Sequence, residues 1–213
     1  MTTFSKKKAL EFGWETFKAN AGFLIGVTIV AGIASLVPDI ISGWFSEGAP
    51  FLSLLFTLLG VVVAVVVSIG ITKIALKFLD NETPEFADLY QHYDLFLPVF
   101  LVSLLFGLIV GVGFILLIVP GIILALMFFM CDYLVIDQQI EPITALKTSA
   151  AMTKGHKLNL FLFTIIVGLL NVAGFLALAV GLLVTIPVTT LAIMYVYREL
   201  LSFHKASAGE TAA

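Results

Sequence analysis

Two stretches of this chain run without a charged side chain for longer than a single helix can remain inside a membrane. Residues 95–131 span 37 positions and residues 158–197 span 40, with no Asp, Glu, Lys or Arg in either. A helix rises about 1.5 Å per residue, so the first stretch would be about 55 Å long as one rod, against a hydrocarbon slab of about 30 Å. Each must therefore fold back on itself. Composition agrees that lipid is the solvent. Of the 213 residues 61% are hydrophobic and 12% charged, where a soluble domain is about 45–50% apolar and about 25% charged. No soluble core buries that much apolar surface, and the mean hydropathy is +1.14.

The expected fold is all-α, with six transmembrane helices over about 21–45, 51–79, 95–112, 113–136, 158–180 and 182–201. Ser46-Glu47-Gly48-Ala49-Pro50 reads as a turn between the first two. In the two uncharged runs the turns are expected at Gly111-Val112-Gly113 and at Val180-Gly181. An internal match supports this: Leu116-Leu117-Ile118-Val119-Pro120 overlays Leu183-Val184-Thr185-Ile186-Pro187, and the same offset overlays Leu124–Met127 on Leu191–Met194. Pro120 and Pro187 would then sit at equal depths and kink their helices, because proline removes an intrahelical donor. A turn at Pro120-Gly121 is the alternative, but it leaves a fourth helix of only about 16 residues, which is short for a span.

Charge orients the helices. All eleven Lys and Arg fall on one expected side, and the opposite loops hold none. Cytoplasmic loops carry such an excess, so both termini are expected in the cytoplasm. Tyr90, Tyr93, Tyr133, Tyr195 and Tyr197 fall near the same boundary, where amphipathic rings anchor helices. The formal charge of −3 gives no case for a nucleic-acid partner, and a single cysteine, Cys131, excludes an intrachain disulfide. Lysines and glutamates precede the first apolar run, so no secretory signal is read and the whole chain is expected in the mature protein.

A short amphipathic stretch precedes each hairpin. In 5–20, Leu10, Trp14 and Phe17 share a face beside Lys6, Lys7 and Lys8. After Thr83-Pro84, a cap and first-turn pair, Phe86, Leu89, Tyr90 and Tyr93 form a stripe. After Glu141-Pro142, Ile143, Leu146 and Ala150 form another, with Lys147, Lys154 and Lys157 on the basic side. Helices of this kind lie in the headgroup plane. The chain thus reads as three units of interfacial helix plus hairpin within one membrane domain over 1–203, followed by a flexible tail over 204–213.

Chemistry is sparse. No HExxH, GxSxG, Walker A or CxxC motif is present, and no enzyme activity, cofactor or metal is expected. His92, His156 and His204 read as solvated interfacial residues. Asn171, mid-helix in the fifth span, must find a partner inside the bundle, and an interhelical hydrogen bond is favoured over a substrate contact. An intramembrane enzyme would need residues such as Asp132, His156 and Asp94 gathered in one cavity. Lys73 and Lys77 snorkel to the interface. Gly22/Gly26, Gly107/Gly111 and the series Ala173, Ala177, Gly181 have the spacing that lets helix backbones approach closely.

The stretch Phe114–Ala125, with Pro120-Gly121 at its centre, together with Ala145-Leu146-Lys147-Thr148-Ser149 and Met152-Thr153-Lys154-Gly155, resembles bacterial six-helix membrane proteins of the YciC-like group. That group includes the membrane domain fused to some glycerophosphoryl diester phosphodiesterases. The resemblance covers most of the chain and is strongest over 95–201. It implies an inner-membrane protein. In the fused relatives the phosphodiester chemistry belongs to a separate soluble domain, for which no room is expected after Leu201, so that activity is not carried over.

The expectation is a non-catalytic protein of the bacterial inner membrane acting on lipid organisation or envelope homeostasis. Its basic interfacial helices suit membrane lipids, with Lys6, Lys7, Lys8, Lys147, Lys154 and Lys157 as headgroup contacts. A homo-oligomer or a membrane-protein partner is compatible with this reading. The alternative is a small uncoupled transporter or channel for an apolar or amphipathic solute, its cavity shaped by Pro120, Gly121, Pro187 and Asn171.

Overall fold

The computed structural model describes residues 3–177, 180–207 and 209. Among these the fold is all-α, and six segments are long and apolar enough to cross a membrane. Helix α1 (Lys6–Ala19) starts on Ser5, whose hydroxyl accepts from the Lys8 amide. It leads into α2 (Ala21–Phe45) and α3 (Pro50–Leu79), which pack along each other. Two short 3₁₀ turns, Phe86–Leu89 and Tyr93–Leu95, precede α4 (Phe96–Leu116). Then come α5 (Ile118–Phe128), α6 (Cys131–Gln138), α7 (Pro142–Met152), α8 (Lys157–Leu176) and α9 (Leu182–Ser207).

The chain reverses between α4 and α5 at Leu117, not at Gly111-Val112-Gly113, both glycines of which lie inside α4. One extended residue suffices. The Leu117 amide donates to the Gly113 carbonyl (3.1 Å), and the Leu117 carbonyl accepts from Gly121 (3.2 Å). Gly113 and Gly121 face each other across this corner, and a Cβ on Gly121 would strike the Phe114 ring at 2.6 Å. Pro120 therefore falls in the first turn of α5, where its missing amide hydrogen removes no bond internal to α5, so it kinks nothing. Pro187 is the sixth residue of α9, so the two prolines do not occupy equal positions in their helices. The second reversal falls between Leu176 and Leu182; Leu178 and Ala179 lie outside the described residues. Helix α9 continues to Ser207, so 204–207 is helical, not tail; 208 and 210–213 lie outside the described residues.

The fourth apolar segment is broken. α5 stops at Phe128 and α6 begins at Cys131, with Phe129-Met130 forming the step between them. No proline or glycine marks this break. It is held from outside, by α7, as shown below.

Helices lie closest where glycine removes a side chain, but not at the expected pairs. Gly22, Gly107 and Gly111 have open space where a Cβ would stand, and Gly26 meets only the Phe86 ring. Instead a Cβ on Gly13 would run into the Val188 carbonyl of α9, and one on Gly70 into the Leu89 backbone. Gly174 and Gly181 abut across the α8–α9 corner in the same way. The buried stripe of α1 is accordingly Ala9, Gly13 and Phe17, with Trp14 46% exposed. It is rotated one position from the expected Leu10–Trp14–Phe17 face, because Gly13 rather than a large side chain meets α9. On α7 the buried face is Ala145, Leu146, Ser149 and Met152, and Ile143 is exposed. After Pro84 there is no α-helix: Glu85 caps a 3₁₀ turn through a reciprocal bond with Asp88, leaving Tyr90 and Tyr93 exposed.

The core gathers at one end. Buried side chains concentrate at the Lys73 end of α3, the first turns of α4 and α8, all of α6 and the second half of α9. Tyr197 is fully buried there rather than anchoring at the interface. This is also the end where the cations lie: Lys6 reaches the start of α8, Lys77 reaches Asp88, and Arg198 and Lys205 reach the end of α6.

Candidate functional site

An apolar cleft opens between α2, α3 and α9, with a volume of about 210 Å³. Leu24, Val27 and Ala31 form one wall, Ile71 and Ile74 another, and Pro187 with Leu191 the third. Helical spacing explains the α2 wall: Leu24, Val27, Thr28, Ala31 and Ser35 fall on one stripe. Only Thr28, Ser35 and Thr190 bring hydroxyls. Thr28 turns its own inward to the Leu24 carbonyl at 2.7 Å, so it offers a ligand little. Gly32 and Ile186 are exposed, so the cleft opens on the outer surface of the bundle. A dry cavity of about 150 Å³ lined by aliphatic side chains accepts apolar solutes; this cleft is larger and similarly lined.

Of the residues singled out from sequence, Pro187 lines the cleft, whereas Pro120, Gly121 and Asn171 do not. Asn171 donates from Nδ2 to Thr189 Oγ1 across α8 and α9 (3.2 Å), and its Oδ1 is enclosed without a partner. Pro120 and Gly121 belong to the α4–α5 corner.

The break in the fourth segment is clasped by two hydroxyls of α7. Ser149 Oγ accepts from the Met130 amide (3.2 Å) and donates to the Met127 carbonyl (3.0 Å). Thr153 Oγ1 shares its proton between the Met127 and Ser149 carbonyls, at 3.1 and 2.9 Å. Both residues are fully buried. Backbone groups freed by a helix break must be satisfied internally where water is absent, and these two side chains do so. Their positions in the Ala145–Ser149 and Met152–Gly155 motifs give those motifs a physical content that sequence alone did not.

A second polar group ties α3, α6 and α9. Asp137 accepts from Tyr197 Oη (2.7 Å), Arg198 Nη1 (3.3 Å) and Gln138 Nε2 (2.6 Å). Arg198 Nη2 also reaches Asp80 at 2.7 Å. Nearby, Asp88, 4% exposed, accepts from Lys77 (2.6 Å) and from the Glu85 amide (2.7 Å). Lys77 is thus committed to an ion pair rather than to snorkelling. None of Asp80, Asp88, Asp137 and Arg198 stood out in sequence; the only available signal was that acidic residues recur beside the basic ends of the apolar segments.

The lysines differ in their freedom. Lys6 donates to Asn159 Oδ1 (2.7 Å), which holds α1 on α8. Lys7 lies 3.5 Å from Glu11. Lys8, Lys147 and Lys154 are exposed, and among the described residues none has a carboxylate partner. Lys157 points to Met127 Sδ (3.7 Å).

Asp132, His156 and Asp94 are not joined by any hydrogen bond or ion pair among the described residues. Asp132 accepts from Ser103 (3.0 Å), and His156 stacks on Phe203. Among the described residues no three His, Cys, Asp or Glu side chains are placed to hold a metal ion. Comparison with protein-family models, with curated proteins and with solved structures returns no match.

Proposed function

We propose that this chain is a non-catalytic, multi-pass protein of a bacterial inner membrane that organises lipid, holding an acyl chain in the cleft between α2, α3 and α9. The cleft carries this reading. It is apolar on three sides, opens toward lipid, and presents three hydroxyls but no charged group, so it suits a hydrocarbon chain and gives a charged or sugar-like solute nothing to pair with.

The orientation proposed with it places the cation-bearing end and both termini in the cytoplasm, by the distribution of all eleven Lys and Arg. The six spans then form three hairpins, with α1, the Phe86–Leu95 turns and α7 near the headgroup layer, where Lys7, Lys8 and Lys147 meet anionic lipid. The motif resemblance to the YciC-like group supports the same assignment. A second reading, an uncoupled facilitator for an amphipathic solute, draws on the clasped break at Phe129-Met130, since interrupted helices are common in transporters.

The test is lipid analysis of the purified protein beside an Ala31→Phe variant, which fills the cleft. Retained lipid is expected to be enriched in selected acyl chains and to fall in the variant. Bulk lipid in bulk proportions from both would reject the reading. Flux of an amphipathic dye into proteoliposomes, blocked by Ala31→Phe, would favour the facilitator instead.

A further inference from the structure

A second cavity, of about 280 Å³, lies at the cation-bearing end, away from the acyl cleft. It is bounded by the end of α7, by the turn Lys154-Gly155-His156, and by Phe203, His204 and Ser207 of α9. The turn is built for the place. Gly155 has φ +86°, the left-handed conformation that closes a helix and that side chains resist. It lets the chain leave α7 and enter α8 at once, with Lys154 and His156 both lining the cavity.

Among the described residues the lining holds one ammonium and two imidazoles, and no carboxylate. Lys7, Lys18, Lys77 and Arg198 each have a carboxylate partner; Lys154 has none among the described residues. His156 is held by stacking on Phe203, with ring centroids 5.9 Å apart. Its Nδ1 is enclosed without a partner, which leaves Nε2 as the nitrogen open to a ligand. The first turn of α8 begins at the next residue and brings the positive end of its dipole, while α7 and α9 close on the cavity with their negative C-terminal ends, so the side chains rather than the helix dipoles carry the site's preference. A soft hydrophobe has no reason to choose this cavity over the acyl cleft, whereas a compact oxyanion finds donors on several sides.

We propose that this cavity recognises phosphate, and that the phosphate it takes is that of an anionic phospholipid headgroup. Lys154 supplies charge and hydrogen bonds, His204 a further ring donor, and His156 Nε2 a donor of fixed direction. The proposal rests on the protein's being lipid-binding, but it uses a cavity that shares no lining residue with the acyl cleft.

The full chain, ¹⁵N-labelled in nanodiscs, tests it through the imidazole resonances of His156 and His204. Nanodiscs of phosphatidylcholine alone are compared with ones containing phosphatidate, and inorganic phosphate is titrated separately. Phosphatidate is expected to shift both resonances, with His92 unmoved. Lys154→Gln and His204→Gln are each expected to weaken the response about tenfold, the scale of one lost charge-assisted hydrogen bond. Lys18→Gln removes the same charge outside the cavity lining and is expected to leave it intact. Equal losses in Lys154→Gln and Lys18→Gln would reduce the effect to general surface charge and overturn the site. A response to inorganic phosphate without one to phosphatidate would overturn the headgroup assignment, and no response to either would overturn both. Ala31→Phe, which fills only the acyl cleft, is expected to leave the titration unchanged, so failure of one reading is separable from failure of the other.

Discussion

The two ends of this bundle are held together by different means. At the cation-bearing end Leu134, Leu160, Phe163, Leu191, Val196 and Leu200 are buried, Asp137 and Asp88 are paired, and Ser149 mends a broken helix. At the opposite end Trp44, Phe51, Ile115–Val119, Phe175 and Leu176 are exposed. Polar contacts there are few: Ser42 with Ser53 and Thr57, and Asn171 with Thr189. The difference teaches where specificity of packing resides. In lipid there is little hydrophobic drive for one helix to seek another, so close backbone approach and hydrogen bonds decide where helices meet. This chain places its ion pairs and most of its interhelical hydrogen bonds at one end, and at the other joins helices mainly at the tight Gly113–Gly121 and Gly174–Gly181 corners.

Substitutions can break or sharpen that contrast, read as unfolding midpoints in one fixed detergent. Asp137→Ala should have the largest effect, about 2–3 kcal/mol. It strands the Tyr197 hydroxyl and half of the Arg198 guanidinium, and Asp80 keeps the loss below that of a fully buried pair. A loss under about 0.5 kcal/mol would show that the ionic group does not hold this end. Gly70→Ala comes next, at about 1–3 kcal/mol, because the added methyl meets Leu89 main chain that cannot move aside like a side chain. Ser149→Ala should cost about 1–2 kcal/mol by leaving the Met130 amide without its acceptor. Hydrogen exchange at Met130 should rise in that variant, and unchanged protection would mean another group takes over.

At the lipid-filled end, Asn171→Leu should cost only about 0.6 kcal/mol, the usual scale of an interhelical bond in a membrane. Gly111→Ala should be of similar size and opposite in sign. It has open space for the methyl and gains helix propensity, for a stabilisation of about 0.5–1 kcal/mol. Destabilisation by Gly111→Ala would reveal a packing partner at that face.

What sequence made legible follows the same division. Span count comes from solvent partition, which acts on whole segments, so 37 and 40 uncharged residues were decisive. The glycines were not legible, because a GxxxG spacing tells which residues share a face but not whether any helix lies against that face. Gly107 and Gly111 look into open space, while Gly13 and Gly70, in no such spacing, carry close contacts; of the expected series, Gly181 alone does so, against Gly174. The break at Phe129-Met130 was invisible for a related reason. Its cause is not in the residues that break but in Ser149 and Thr153, about twenty positions later. Pro120 drew attention as a breaker and serves only as a first-turn residue. The apolar cleft was legible in one residue, Pro187, since its other two walls come from α2 and α3, whose rotation against α9 sequence does not set.

The corner at Leu117 bears on how the protein enters a membrane at all. A hairpin inserted tip first must carry its connecting loop through the hydrocarbon. Here the tip Phe114–Val119 has no polar side chain, and its one extended residue keeps both amide and carbonyl bonded. The passage therefore drags no ion and little unsatisfied backbone across, and the barrier to biogenesis at this hairpin is low. With the cation-bearing end in the cytoplasm, as proposed, the α2–α3 pair would instead move Ser46 and Glu47 through the same layer. In the proposed orientation the first hairpin is thus the one that carries a carboxylate across, and the α4–α5 hairpin crosses with none at its tip.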